Sequence, residues 1–192
     1  MRKAEKIIAV IAITSLGLNL FLVTGGGAMT VLTLFLLSLI YMIFGFAIFN
    51  KLKLRDLFNK ESYNEISPKR IIGAVGAGLA LSTTTIGLLY KIQGWTGASV
   101  QLGTGIVCLV AVMIISIIKN SKNKSDYYRG IIKRCIIFSS LGVILLLLPE
   151  KAWTDFKYRN HPTYLKALEK ASADPDNDSL WKKVDEERTK MK

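Results

Sequence analysis

The sequence predicts an all-α integral membrane protein with two parallel-repeat transmembrane hairpins, a fifth transmembrane helix and a helical-hairpin tail. Of the 192 residues, 51% are hydrophobic, and they are gathered in blocks. Several blocks run for about 17 to 22 residues almost without charge, which is long enough to cross a bilayer. The net charge of +12 lies mostly between the blocks, where the positive-inside rule expects basic residues, so it does not indicate nucleic-acid binding.

The first hairpin is predicted from spans at about residues 7–23 and 31–49. Three glycines in the uncharged segment Thr24–Thr30 suit the turn between them. A basic loop, Asn50–Arg70, follows with six Lys or Arg residues, among them Lys60, against Asp56, Glu61 and Glu65. Ser67-Pro68 favours a helix start, since proline is well tolerated in a first turn.

The second hairpin is predicted from spans at about residues 71–90 and 101–118. Small residues recur along the first of these spans at helical spacing, and in lipid such spacing lets two helix backbones approach closely. We therefore expect a helix-packing interface, used for assembly with a second copy or a partner, formed by Gly73, Ala74, Gly76, Ala77, Gly78 and Ala80.

The turn of this second hairpin has its own pattern. Two glycines permit a tight change of direction, and lysine and tryptophan are both favoured at the edge of a membrane, where the lysine ammonium reaches the headgroups. The predicted turn residues are Lys91, Gly94, Trp95, Gly97 and Ala98.

The fifth span is predicted at about residues 132–149, within a membrane domain of residues 1–149. Its apolar core, Cys135–Leu148, is about 21 Å long as a helix, so we expect flanking residues to extend it. Residues 150–192 have ten basic and nine acidic residues and predict a soluble tail. A helix start at His161-Pro162, a turn at Asp174–Asn177 and a cap at Asp178 or Ser179 predict a helical hairpin there.

The charge distribution predicts the orientation. The N-terminal segment has three cations and the two basic loops have six each, whereas the two remaining loops have only Lys91. This pattern predicts a cytoplasmic N-terminus and, after five crossings, a periplasmic tail. A shift of 70 residues places Gly27-Ala28 on Gly97-Ala98, which predicts two parallel repeats about an axis along the membrane normal.

The segment Lys91-Ile92-Gln93-Gly94-Trp95-Thr96-Gly97-Ala98 resembles the K-I-x-x-W-x-G-A turn of a hairpin found in Bacteroidota membrane proteins. The family includes the membrane subunit of the gliding-motility and type IX secretion motor. Gly94 and Thr96 stand where that family has His-Pro around the tryptophan. The motor subunit has a glutamate near the position of Cys108 or Leu109, but no acid lies between Glu65 and Asp126. The resemblance implies a shared hairpin and envelope setting without a proton-driven motor.

No set of residues for catalysis, a metal or a cofactor is apparent, and His161 is the only histidine. We therefore predict a non-enzymatic scaffold or subunit of an envelope complex in a bacterial inner membrane. Its expected partners are lipid and either further copies of the chain or a membrane or periplasmic protein. The alternative is an oligomeric channel or pore, for which the polar lining would be Ser82, Thr83, Thr84, Thr85, Gln101 and Thr104.

Overall fold

The computed structural model describes residues 1–59, 62 and 66–191, and within them the chain forms eight α-helices and no strand. The predicted all-α class is confirmed. The helices are α1 (Arg2–Leu20), α2 (Gly26–Asn50), α3 (Pro68–Gln93), α4 (Ala98–Lys122), α5 (Asp126–Leu147), α6 (Glu150–Lys157), α7 (Pro162–Ala173) and α8 (Asp178–Thr189). Lys60, Glu61 and Glu65 of the first basic loop, and Lys192 of the tail, lie outside the described residues.

Four of the described helices, α2 to α5, are long and apolar enough to cross a membrane. Helix α1 is not one of the four, because charged residues occupy its start and leave residues 7–20, about 21 Å of helix, without charge. The three middle predicted runs are helical throughout, while the first and the fifth continue two or three residues past the ends of α1 and α5. The first predicted span stays a prediction.

The fifth helix differs from its prediction at both ends. It begins at Asp126, where the Ser125 hydroxyl accepts a hydrogen bond from the Tyr127 amide and caps the first turn. It ends at Leu147, and Pro149 then precedes α6 as its N-cap residue. Of the extension expected from flanking residues on both sides of the apolar core, the part before the core is present and the part after it is not. The second basic loop, expected before the core at residues 119–134, is mostly helical, because α4 continues to Lys122 and α5 begins at Asp126.

The five long helices form an antiparallel bundle with two distinct ends. At the first end, the Arg2 guanidinium donates to the Ile48 carbonyl at 3.1 Å, and the Tyr127 hydroxyl donates to the Arg70 carbonyl at 3.0 Å. We call this the charged end. At the opposite end, the Gln93 amide donates to the Gly27 carbonyl, and α6 to α8 follow α5. We call this the tail end.

Helix α3 is the central helix of the bundle. It packs on α2, α4 and α5. In its apolar segment 56% of the residues are buried, against 17% in the apolar segment of α5. Its backbone comes closest to those of α2 and α4 at two glycines. A Cβ atom on Gly78 would lie 2.5 Å from the Tyr41 carbonyl oxygen of α2, and one on Gly87 would lie 2.6 Å from the Leu102 Cα atom of α4.

The two hairpin turns have a common feature, a glycine with positive φ immediately before the second helix. These glycines are Gly25 (φ 84°) and Gly97 (φ 78°). They are 72 positions apart, whereas the shift of 70 residues pairs Gly27 with Gly97. The parallel repeat therefore stays a prediction, and at the turns the two hairpins correspond at a shift of 72 residues instead of 70.

The contact between α2 and α3 predicts opposite effects of the same substitution at two glycines of α3. Gly78→Ala places a methyl group against α2 and should destabilise the protein by about 1–3 kcal/mol, as overpacking does. Gly76→Ala is the matched control, because nothing lies within 4 Å of its Cβ position. It should be neutral or stabilising by up to about 1 kcal/mol, since alanine favours helix. Thermal unfolding followed by circular dichroism in detergent measures both. Equal melting temperatures for the two variants would contradict the close contact.

Candidate functional site

A cluster of charged and polar side chains lies at the charged end, where three helices meet. Glu5 of α1 is 5% exposed and receives three hydrogen bonds. Arg134 of α5 donates two of them, from Nε to Oε1 at 2.6 Å and from Nη2 to Oε2 at 2.5 Å. The Tyr41 hydroxyl of α2 donates the third at 2.8 Å. The carboxylate is therefore bound in a bidentate manner, the strongest geometry for such a pair.

The rest of the Arg134 guanidinium is also held in place. Its Nη1 donates to the Gly130 carbonyl at 3.0 Å, and its Cζ lies 5.4 Å from the centre of the Phe49 ring. Leaving a buried carboxylate or guanidinium without its partner is costly. The cluster should therefore fix the position of α1 relative to α2 and α5.

A cleft with a volume of about 540 Å³ opens beside this cluster, between α1, α2 and α5. We call it the α1–α5 cleft. Its mouth is basic, whereas its deeper wall includes the apolar residues Ala9, Ile137 and Phe138. The basic side chains that line it are Arg2, Lys3, Lys6, Lys51, Lys133 and Arg134.

The acids of the α1–α5 cleft are already neutralised. The two described acids in its lining are Glu5 and Asp126. Glu5 pairs with Arg134, while Asp126 pairs with Lys51 at 3.0 Å and with Arg129 at 2.9 Å. The cleft can therefore attract an anion but has no described carboxylate free to bind a cation.

A second cleft, of about 570 Å³, lies between α3, α4 and α5, also at the charged end. Its lining includes Lys69, Arg70 and Lys119. The Arg70 guanidinium stacks 4.5 Å above the Tyr127 ring, and its Nε is buried with no hydrogen-bond partner among the described residues. This cleft is basic as well.

The predicted packing stripe on α3 divides into two parts. Ala74, Ala77, Gly78 and Ala80 are buried inside the bundle. The partner at Gly78 is α2 of the same chain, where Gly45 lies opposite. The expectation that the whole stripe serves assembly between chains does not fit this placement. The remaining two residues, Gly73 and Gly76, are exposed and line the second cleft.

The predicted turn of the second hairpin lies where the sequence placed it. Gly94 ends α3 with φ 69°, Gly97 precedes α4, and Ala98 is buried as its first residue. Trp95 is 43% exposed and packs edge-on against Tyr90.

Lys91 differs from the expectation that it extends toward lipid headgroups. It is 6% exposed, and its Nζ lies 3.4 Å from the Ser99 hydroxyl and 3.7 Å from the Glu150 carboxylate of α6. The Trp153 indole nitrogen donates to the Ile92 carbonyl next to it, at 3.2 Å. Lys91 is thus part of the joint between the bundle and the tail.

The polar residues expected to line a pore do not converge on a common cavity. The buried hydroxyls of Thr84 and Thr85 donate to carbonyls of their own helix at 2.8 and 2.7 Å. Ser82 is hydrogen-bonded to Ser38 of α2 at 2.8 Å. Thr104 is exposed, and Thr83 and Gln101 are half-buried. The two basic clefts and a third cavity in the tail are lined by other side chains.

The tail forms the predicted hairpin of α7 and α8. His161 precedes α7 as expected, but the cap of α8 is Asn177, whose side chain accepts from the Ser179 amide, rather than Asp178 or Ser179. Buried Tyr164, Ala171 and Val184 form its small core. Within the described residues, no three His, Cys, Asp or Glu side chains come together as a metal site.

Sequence reasoning missed the cluster of Glu5, Tyr41 and Arg134. One signal was present: Glu5 is the single acid among the three cations of the N-terminal segment, where an acid requires a partner. The sequence did not show which cation would pair with it, because Arg134 is 129 residues away.

The cluster predicts that removing the Glu5 charge is far more damaging than removing a surface charge. Glu5→Gln leaves the Arg134 guanidinium without its anion and should cost about 3–5 kcal/mol. Glu169→Gln is the control, since Glu169 pairs at 2.8 Å with Lys151 where both are well exposed, and it should change stability little. Thermal unfolding in detergent compares them. Equal melting temperatures would contradict the structural role of the cluster.

The chain was compared with known proteins at three levels. No protein-family model matches it, and no curated protein and no solved structure shows significant similarity to it.

Proposed function

We propose that the chain is a non-enzymatic multi-pass protein of a bacterial inner membrane and acts as a scaffold or subunit of an envelope complex. Four helices long and apolar enough to span a membrane support the multi-pass part. Helix α1 lies against α2 from Arg2 near Ile48 to Leu18 near Gly26. It would therefore share the depth of α2 and provide a fifth crossing.

The difference between the two ends of the bundle supports the orientation. The charged end gathers the N-terminal cations, the described cations that follow α2 and begin α3, and the cations at the end of α4 and the start of α5. At the tail end of the bundle, the two hairpin turns have no cation, and the last turn of α3 has one, Lys91, which is buried. By the positive-inside rule the charged end faces the cytoplasm and the tail faces the periplasm.

The observation that carries the scaffold proposal is the structure of the tail. It is a folded helical hairpin, joined to the bundle through the contacts of Glu150 and Trp153 with the end of α3. Two large apolar side chains of the tail are exposed, Phe156 (52%) and Trp181 (38%). Exposed aromatic residues among charges are enriched at protein interfaces. The tail thus offers a binding surface outside the spans. The resemblance of the turn at residues 91–98 also favours an envelope setting.

The channel alternative has less support. Three of its predicted lining residues, Ser82, Thr84 and Thr85, use their hydroxyls within the bundle, where α3 packs closely on α2 and α4. Purified protein in liposomes should therefore give no ion flux above that of empty liposomes, and a flux that Gln101→Leu abolishes would favour the channel instead.

Blue-native electrophoresis of membranes in mild detergent tests the scaffold proposal. The chain should migrate in a complex larger than a monomer. Phe156→Ala should reduce this complex several-fold, because hot-spot aromatic residues account for much of an interface. Phe21→Ala is the matched control, as Phe21 is 74% exposed at the same end of the bundle but outside the tail.

Two results would contradict the proposal. Migration as a monomer in every mild detergent would remove the basis for a scaffold or subunit. An equal loss of the complex with Phe156→Ala and Phe21→Ala would show that the tail is not the binding surface.

A further inference from the structure

The α1–α5 cleft has more positive charge than its own acids neutralise. Lys3, Lys6 and Lys133 line it without an ion-pair partner among the described residues. The three lie on two different helices, with Lys133 on α5 facing the other two on α1. Such an arrangement favours an anion between the helices over an ion pair within either one.

Two guanidinium groups converge on one point of this cleft. A Cβ atom on Gly130 would lie 3.7 Å from Arg134 Nη1 and 3.8 Å from Arg2 Nη2. The Arg2 Nε is occupied by the Ile48 carbonyl at 3.1 Å, whereas no described group accepts from its two Nη atoms. Guanidinium groups bind phosphate through paired hydrogen bonds, and the two Nη atoms of Arg2 can provide such a pair. Arg134 already donates to Glu5 and to the Gly130 carbonyl, and it borders the other side of the space. Because Gly130 has no side chain, the space between the two guanidinium groups is open.

The cleft changes character with depth. Below its basic mouth, Ala9 of α1 and Ile137 and Phe138 of α5 form an apolar wall, and Ile137 is 47% exposed. Helix α1 packs mainly on α2, so the wall is accessible from the side of the bundle. A ligand that fits both parts has an anionic head and an apolar chain.

We infer that the α1–α5 cleft binds one anionic phospholipid of the leaflet at the charged end. The phosphate lies over Gly130, between Arg2 and Arg134, and the lysines of the mouth surround it. One acyl chain follows the wall of Ala9, Ile137 and Phe138. This inference rests on the proposed membrane location, and it is independent of the scaffold role.

Lipid retention by the purified full-length chain tests the inference. Native mass spectrometry counts the lipids retained from dodecyl maltoside micelles with equal mole fractions of phosphatidylglycerol or phosphatidylcholine. The unmodified chain should retain one phosphatidylglycerol in preference to phosphatidylcholine. The double variant Lys6→Gln/Lys133→Gln should bind phosphatidylglycerol at least about tenfold more weakly, since each basic residue near an anionic headgroup contributes appreciably.

The matched control is Lys122→Gln/Lys124→Gln. It removes the same charge at the same end of the bundle, from exposed positions outside the α1–α5 cleft. It should retain the lipid as the unmodified chain does. Both double variants alter exposed side chains, so melting temperatures without added lipid should match that of the unmodified chain.

Three outcomes would overturn the inference. Equal losses in the two double variants would mean that the basic surface attracts lipid diffusely. Equal retention of phosphatidylcholine would mean that the apolar wall alone selects the ligand. Displacement of the lipid by inorganic phosphate at a similar concentration would identify the ligand as a free anion.

Discussion

Helix α3 meets its neighbours at points where a single methyl group does not fit. Gly78 faces Gly45 of α2, Gly87 faces Leu102 of α4, and Thr84 of α3 faces Gly105 of α4. The contact of α1 with α2 is built alike, with Gly26 of α2 against the Leu18 backbone, whereas Gly142 of α5 meets only side chains of α4. In lipid there is little hydrophobic gain from bringing two helices together, so close packing and hydrogen bonds have to provide the stability. These contacts bring α2 and α3 close enough for Ser38 and Ser82 to form their hydroxyl pair, and the outer faces of α4 and α5 stay exposed.

The charged end adds a second kind of constraint, an ion pair and hydrogen bonds that fix the orientation of side chains instead of a close fit between helix backbones. The pair of Glu5 and Arg134 connects α1 to a helix on which it packs little, with Tyr41 of α2 completing the shell of the carboxylate. Because Glu5 pairs with Arg134 and Asp126 pairs with Lys51, the remaining lysines of the α1–α5 cleft, Lys3, Lys6 and Lys133, have no described anion of their own. The excess positive charge from which the lipid site is inferred comes from these lysines and Arg2, next to the cluster that positions α1.

The sequence predicted features that depend on local composition. The apolar runs, the glycine turns at Gly94 and Gly97 and the helix start at Pro68 follow from charge, conformational freedom and hydrogen-bond loss within a few residues. It did not predict contacts between residues that are far apart in the sequence. The small residues of α3 identify a close contact but not its partner, which is α2 of the same chain. From the sequence, Lys91 resembles a lysine at the membrane interface. In the structure its Nζ lies 3.7 Å from the carboxylate of Glu150, which is 59 positions later in the chain. The start of α5 was missed because charged residues at a helix end reduce the apolar signal.

The central claim is that the bundle crosses the membrane an odd number of times, which places the N-terminus and the tail on opposite sides. Single cysteines test it most directly, introduced as Ala4→Cys or Asp176→Cys into a chain with Cys108→Ala and Cys135→Ala, since both chosen positions are exposed. A membrane-impermeant maleimide is applied to right-side-out spheroplasts and to inverted vesicles. The account predicts that the Asp176→Cys chain is labelled only in spheroplasts and the Ala4→Cys chain only in inverted vesicles. Labelling of both chains from the same side would contradict it.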